Sequence, residues 1–330
     1  MPSPESAGYS RYHHDVSRII AGDVGGTKTL LRCIEVPGDV AIEMRFESAH
    51  YRTFEDLLRE FLQICPGEVD AACFAVAGPV FESRAEVTNL KWRIESATLT
   101  ATFGIRRVAL INDFYAIALG VPFLVEQDLL SLQQGTRDRS APIGILGAGT
   151  GLGEAMVAFH HDEWVVISSE GGHADFAPQD DEQMRLLAAL QKKYGHVSWE
   201  RVISGMGLSN IYAFLTGRSE EPAHIAEMAV RGEPDAVRAF RIFVDVYGSE
   251  AGNMALRVLA RGGIFLAGGV AAKNRDFFAD GRFIDAFRRK GRFSELLHDI
   301  PVDLIINEHV GLIGAAAMAR SLESSRGSIR

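Results

Sequence analysis

A chain of 330 residues, 47% of them hydrophobic, can bury a sizeable core and is long enough for two domains, which sets the expectation of a globular α/β protein. Its 43 acidic side chains against 34 basic ones leave a formal charge of -9, which argues against general nucleic-acid binding because a phosphate backbone requires a basic face. No apolar run approaches the roughly 18 residues of a membrane-spanning helix, so no membrane partner is expected.

The first 17 residues, MPSPESAGYSRYHHDVS, contain no apolar h-region and do not resemble a secretory signal; a flexible tail with His13 and His14 solvated is expected. The next stretch, IIAGDVGGTKTLLRCIEV (19–36), nearly fits the phosphate-binding pattern G-x-x-x-x-G-K-[ST], but Thr27 stands where the second glycine is required. A P-loop also opens a helix, whereas TLLRCIEV is rich in branched residues and runs into the turn PGD, so the segment reads as strand, turn, strand. Asp23 inside such a turn would repel phosphate unless a divalent cation sat between them, directly or through its water shell. Two readings stay open: a hairpin tip holding magnesium-bound nucleotide, or a Gly-rich hairpin with a solvated Asp.

Periodicity predicts strands at 18–22, 29–36 and 40–48, then a helix starting at Thr53, where Phe54, Leu57, Leu58, Phe61 and Leu62 share a face and Thr53 and Asp56 have capping-box spacing. Cys33, Cys65 and Cys73 show no C-x-x-C spacing and lie in or beside apolar runs, so they are expected to be core thiols in a reducing compartment. AACFAVAGP is a fully apolar strand. After another helix, RRVALINDF is a buried strand ending in Asn112 and Asp113, followed by the apolar helix FYAIALG.

The second half repeats this order. PIGILGAGTGLGEAMVAF (142–159) is again strand, Gly-Thr turn, strand, and EWVVISSE is a third strand. GGIFLAGGV (262–270) echoes ACFAVAGPV (72–80), and VDLIINEHVGLIG (302–314) echoes RVALINDFYAIAL, with Asn307-Glu308 recurring where Asn112-Asp113 stood. The halves differ by an insertion at roughly 178–260 that reads as helical. Three matched strand ends in the same order indicate duplication. Two such halves facing each other would set two Gly-Thr turns on either side of a cleft, each offering backbone amides and a hydroxyl, Thr27 or Thr150, to phosphate. GAGTGLG by itself could be a tight turn or a dinucleotide fingerprint, but LGEAMVAF continues as a strand where a Rossmann unit requires a helix.

Four further residues carry candidate chemistry. Asp113, at a strand end before a helix, is either ligand-facing or a helix N-cap. Glu170 and His173 in SSEGGHADFAP follow a strand, with two glycines that let backbone approach a ligand, though a turn carboxylate and a satisfied polar His fit the same residues. Glu200 in GHVSWERVISG lies in a first helical turn, where a carboxylate suits the helix dipole in any case. RRKGR (288–292) reads as a solvated helix end.

Taken together, GDVGGT, TNLKW, LINDF, GAGTGLG, SEGGHADFAP, GHVSWERVISGMGLSNIY, AGGV and KGRFSELLHDIPVDLI resemble the bacterial-type glucokinases, over about residues 18–320. The resemblance implies an α/β, two-domain actin/hexokinase-like (ribonuclease H-like) fold with duplicated βββαβα halves around a cleft. In these terms residues 1–17 are a tail, 18–120 with a C-terminal helix at 311–330 form a smaller domain, and 121–310 form a larger one with the helical insertion. It implies transfer of the γ-phosphoryl group of MgATP to the 6-hydroxyl of glucose, the first step of glycolysis, by a cytoplasmic homodimer. By the same resemblance Asn112, Asp113, Glu170, His173 and Glu200 bind the sugar, with Asp113 as the base, and TNLKW (88–92) adds contacts. The first turn (Gly22, Asp23, Gly25, Gly26, Thr27) and the second (Gly149, Thr150, Gly151) hold the phosphates, Asp23 being the magnesium residue, and Gly268 and Gly269 border the nucleoside. Lys28, where relatives vary, receives no role.

Other classes of the same fold fit less well. Sugar kinases and repressors with a cysteine-rich zinc site share the GGTK turn, but they need clustered cysteines after the E-G-H segment, and no cysteine follows Cys73. No structural zinc is expected, and there is no stretch for a helix-turn-helix before residue 18. An actin- or chaperone-like ATPase would keep both phosphate turns without needing Glu170, His173 and Glu200.

Overall fold

The computed structural model of the chain describes residues 17–38, 40–87, 90–161 and 163–324. Residues 1–16 of the expected tail, with His13 and His14, Thr88 and Asn89 of TNLKW, and 325–330 of the expected C-terminal helix lie outside the described residues. Two compact units divide the chain: Met1–Leu110 with Met318–Arg330, and Ile111–Ala317.

The first unit contains β1 (Ser17–Val24), β2 (Lys28–Val36), β3 (Val40–Glu47), α1 (Phe54–Ile64), β4 (Ala71–Val76), the short strands β5 (Val80–Phe81), β6 (Arg84–Glu86) and β7 (Arg93–Glu95), α2 (Ser96–Phe103) and β8 (Arg107–Asn112), whose last two residues already belong to the second unit. The main sheet has the order β3-β2-β1-β4-β8, with β1 antiparallel to β2 and parallel to β4. Ile19, Ile20 and Ala21 in β1 are fully buried, as a central strand covered on both faces requires. α1 starts where its cap chemistry predicts, since Thr53 Oγ1 accepts from Asp56 N at 3.2 Å. Its apolar stripe of Phe54, Leu57, Leu58 and Phe61 is wholly buried, with Phe54 edge-on to Phe74 of β4 at 4.9 Å.

This docking corrects one expectation. Cys33 of β2 and Cys65, the residue after α1, are not free thiols but form a disulfide, their Cα atoms 6.6 Å apart. They lie 32 residues apart in sequence, and only the packing of α1 on the sheet brings them together. Cys73 of β4 is the buried thiol expected, its pKa pushed up by burial.

The second unit begins with α3 (Asp113–Gly120) and continues with β9 (Leu129–Gln133), β10 (Ile143–Ala148), β11 (Leu152–His160), β12 (Glu163–Ser169), α4 (Asp181–Tyr194), α5 (Gly205–Thr216), α6 (Pro222–Val230) and α7 (Pro234–Val258). Then come β13 (Gly263–Ala267), α8 (Gly269–Lys273), α9 (Arg275–Phe278), α10 (Arg282–Arg288), α11 (Ser294–His298), β14 (Val302–Ile305) and α12 (Val310–Ser324), which runs into the first unit's part of the chain. Its sheet has the order β12-β11-β10-β13-β14-β9, with the pairs β10–β13 and β13–β14 parallel and the pairs β10–β11, β11–β12 and β14–β9 antiparallel. Five of its strands thus repeat the order of the first unit, and β9 is an addition at the edge. The helices α4 to α7 occupy the segment read as an insertion. α7 is buried along much of its length, with Phe240, Phe243 and Tyr247 fully covered.

The division falls at Leu110 where the sequence reading drew it at residue 120. α3 packs on β11 and β12, and the Phe114 ring lies over the paired glycines Gly147 and Gly153, so Asn112, Asp113 and their helix belong with the second sheet.

Candidate active site

The first Gly-Thr turn closes β1 onto β2: Val24 pairs with Thr29, and Gly25 N donates to Lys28 O at 3.0 Å, leaving Gly26 and exposed Thr27 at the tip. Ser48, which the sequence reading passed over, anchors this turn from the end of β3. Its Oγ donates to Gly25 O at 2.8 Å and shares a bond with Thr29 Oγ1 at 2.9 Å. Asp23 is half-buried two residues before Gly25, whereas Gly22 is buried in the strand, where Phe74 and Leu31 fill the space of a side chain. Gly22 therefore has a packing reason to be glycine, apart from the tip.

The second turn, one residue shorter, closes β10 onto β11, with Ala148 paired to Leu152. Gly149 N donates to Gly151 O at 2.9 Å, Gly149 O accepts from Gly205 N of α5 at 2.8 Å, and Thr150 is exposed at the tip. Gly268 adopts φ +88°, and a Cβ there would strike the backbone of Ala148, so the start of α8 sits directly against the turn. Beside Gly149, Thr150 and Gly269 opens a cavity of about 770 Å³ lined also by Lys193, Met206, Glu220, Glu221, Pro222 and Lys273. Its size suits a nucleoside-sized ligand. Sequence reasoning gave none of these last six a role: apart from Met206, in GHVSWERVISGMGLSNIY, they lie outside the quoted motifs on the helical insertion and α8, and only the docking of those helices turns them toward the second Gly-Thr turn.

Three of the candidate sugar residues meet in the same unit. His173, in a 3-10 turn at Gly171–His173, has Nε2 4.0 Å from Glu170 Oε2 and Nδ1 4.0 Å from Glu200 Oε1. Glu200, in a second 3-10 turn at Trp199–Arg201, accepts from Leu152 N through Oε2 at 3.0 Å and fills the space beside Gly151. That bond ties the acid to the second Gly-Thr turn, while Glu170 is exposed and Glu200 mostly buried.

Asp113 opens α3, but the cap is Asn112, whose Oδ1 accepts from Phe114 N at 2.9 Å and Tyr115 N at 3.2 Å. The N-cap position is therefore held by Asn112, and Asp113 shares only the Phe114 N–H with it. Asp113 Oδ1 accepts from Phe114 N at 2.8 Å and from Asn112 Nδ2 at 3.0 Å, leaving Oδ2 with acceptor capacity. Burial raises the Asp113 pKa against the lowering effect of these donors, which makes the carboxylate more avid for a proton than a solvated Asp. Asn307 repeats the pattern at the end of β14, where its Oδ1 accepts from His309 N at 2.7 Å.

Among the described residues no cluster of three or more His, Cys, Asp or Glu could hold a metal ion by protein ligands alone. Asp23 offers one hard oxygen beside a Gly-rich turn, a donor set that suits magnesium, which keeps several waters and takes one or two carboxylates together with substrate phosphates. No helix among the described residues is long and apolar enough to cross a membrane.

A family model described as Glucokinase matches residues 20–322. A glucokinase of Nostoc sp. is 39% identical over 92% of this chain and 99% of its own. Among solved structures, a glucokinase from an Antarctic psychrotroph superposes with a TM-score of 0.86 at 30% identity, over 92% of this chain and 99% of its own. A ROK family glucokinase from Streptomyces griseus, in complex with glucose and AMPPNP, shares the fold with a TM-score of 0.62 at 22% identity, over 92% of this chain and 100% of its own.

Proposed function

Since this chain belongs to the glucokinase family, with the two-domain actin/hexokinase-like fold and the activity of an ATP-dependent hexose kinase, we propose that it transfers the γ-phosphoryl group of ATP to the 6-hydroxyl of glucose with Asp113 as general base. The observation that carries this reading is the setting of Asp113: half-buried, raised in pKa, and fixed to the second hairpin through Phe114. Glu200 reaches the same hairpin through Leu152 N.

Phosphoryl transfer depends on alignment and charge neutralisation more than on covalent help. Asp113 would accept the hydroxyl proton as the sugar oxygen attacks phosphorus and ADP departs, an effect of roughly 10² to 10⁴ in rate. Glucose is uncharged, so its orientation must come from directional hydrogen bonds; Glu170 and Glu200 supply acceptors, while His173 and Asn112 supply groups of either kind. Backbone amides and hydroxyls of the two Gly-Thr turns would hold the phosphates. Magnesium, held near Asp23, would offset charge on the β- and γ-phosphates when bound. We further propose a cytoplasmic homodimer acting at the first step of glycolysis.

A coupled assay of purified protein against a panel of hexoses and phosphoryl donors tests the reading. Glucose 6-phosphate formation from glucose and ATP, dependent on magnesium, is expected. ATP turnover that ignores added sugar would reject it in favour of an ATPase.

A further inference from the structure

The loop bearing Glu170 and His173 rests on a buried acid that the reaction described above does not use. Glu154 of β11 stands opposite Ser169 of β12, and its side chain has no solvent exposure. Neither of its carboxyl oxygens is met by a backbone or side-chain N–H or hydroxyl donor, and the group it can share a proton with is Glu250. A Cβ at Gly171 would fall on Glu154 Oε2, so the carboxyl group occupies the room a side chain would take directly beneath the loop. From α7, fully buried Glu250 faces Glu154; it accepts from Asn253 Nδ2 at 2.9 Å and from Arg257 Nη1 at 2.5 Å, and the same Nη1 lies 3.8 Å from Glu154. Two buried carboxylates served by one half-exposed guanidinium cannot both be ionised cheaply, and two acceptors satisfy one another only if one carries a proton.

We propose that Glu154 is a positioning residue for the sugar loop: it shares one proton with Glu250, and in that form its carboxyl group holds the backbone at Gly171, and with it Glu170 and His173, where the hexose meets them. The inference rests on the reading of Glu170, His173 and Glu200 as sugar ligands. Burial and the neighbouring Glu250 push the Glu154 pKa up to about 8, against the opposing pull of Arg257. The other groups that face the pair are Tyr247 of α7, whose hydroxyl bonds to Leu146 O, and Lys290 after α10, which bonds Ser249 and Asn253 and is itself lowered to about 8 by burial. Loss of the shared proton leaves two repelling charges, and the Glu154 carboxylate, pushed from Glu250, presses on the loop at Gly171, whose side-chain space it already fills. The sugar KM should therefore rise while kcat holds, because bound sugar favours the protonated form.

The test is glucose KM and kcat from pH 6.5 to 9.5 for the wild type, Glu154→Gln, Arg257→Met and His173→Ala. Wild-type KM should be level to near pH 7, about doubled at pH 8 and about tenfold higher by pH 9, as loss of a single proton requires, with kcat changing less than about twofold. Glu154→Gln, which imitates the protonated acid, should keep the neutral-pH KM to pH 9.5; Arg257→Met, which removes the cation favouring ionisation, should move the rise to higher pH. Parallel rises in the wild type and Glu154→Gln, as Lys290 alone would produce, overturn the proposal, as does a level wild-type profile. Should Glu154→Gln not fold, an unmoved rise in Arg257→Met overturns it. His173→Ala separates the two readings: an unchanged glucose KM there rejects the sugar site itself, whereas a raised KM with unaltered Glu154→Gln behaviour rejects only the role of Glu154.

Discussion

Substitution of Gly153 by Ala tests whether Asp113, the proposed base, is held in place by the second hairpin. An added Cβ would lie 2.5 Å from Phe114 Cδ2, 2.6 Å from Cγ and 2.8 Å from Cε2, against about 3.4 Å for an ordinary contact. The ring must retreat by about 0.9 Å from the sheet, the difference between 3.4 and 2.5 Å. Retreat draws the Phe114 backbone with it, and Phe114 N is the donor to both Asn112 Oδ1 and Asp113 Oδ1. Overpacking of this kind costs about 1–3 kcal/mol of stability, and a displacement near 1 Å at a reacting group costs roughly 10² in rate. The expected outcome in a coupled glucose phosphorylation assay is a kcat lowered about 10²-fold with a smaller change in glucose KM. Adding Phe114→Leu should restore part of the rate by giving up ring volume, a non-additivity expected for groups in contact. A Gly153→Ala enzyme that melts several degrees lower yet keeps kcat within about threefold would refute the idea that Phe114 positions Asp113.

Asp113→Asn should preserve the fold, because Asn112 is the cap, and lower kcat by roughly 10² or more; near-normal turnover would remove Asp113 from the chemistry. EDTA should abolish phosphorylation and added magnesium restore it, and equal rates in both conditions would exclude the cation assigned to Asp23. Glu154 is raised from 4.5 to about 8, so the folded state keeps a proton that the unfolded chain releases, and this contribution to stability is lost as pH rises across that window. Urea unfolding at pH 5.5, 7 and 8.5 should accordingly show Glu154→Gln gaining on the wild type as pH rises, and a constant difference would contradict the shift. Sugars lacking the 3- or 4-hydroxyl should be poor substrates, since each missing group strands a polar partner; equal kcat/KM for these analogues would show that the acid cluster is not the sugar site.

Both hairpins were legible in the sequence, because short runs of apolar and branched residues on either side of a Gly-Thr turn mark two strands and the turn between them, and the pattern needs nothing from distant parts of the chain. The repeated strand ends indicated duplication, and the sheet orders β3-β2-β1-β4-β8 and β12-β11-β10-β13-β14 correspond strand for strand. Asn112 and Asp113 could be placed at a strand end, but which of the two would cap the helix could not, as either side chain can accept from the first-turn N–H groups. Tertiary structure alone decided the pairing of Cys33 with Cys65, the assignment of α3 to the second sheet, the wall of the cavity beside Gly149 and the meeting of Glu154 with Glu250. Each of these depends on where one element docks on another, a contact between segments far apart in the chain. Periodicity states which face of a helix or strand is buried, whereas the partner of that face is set by packing of the whole core.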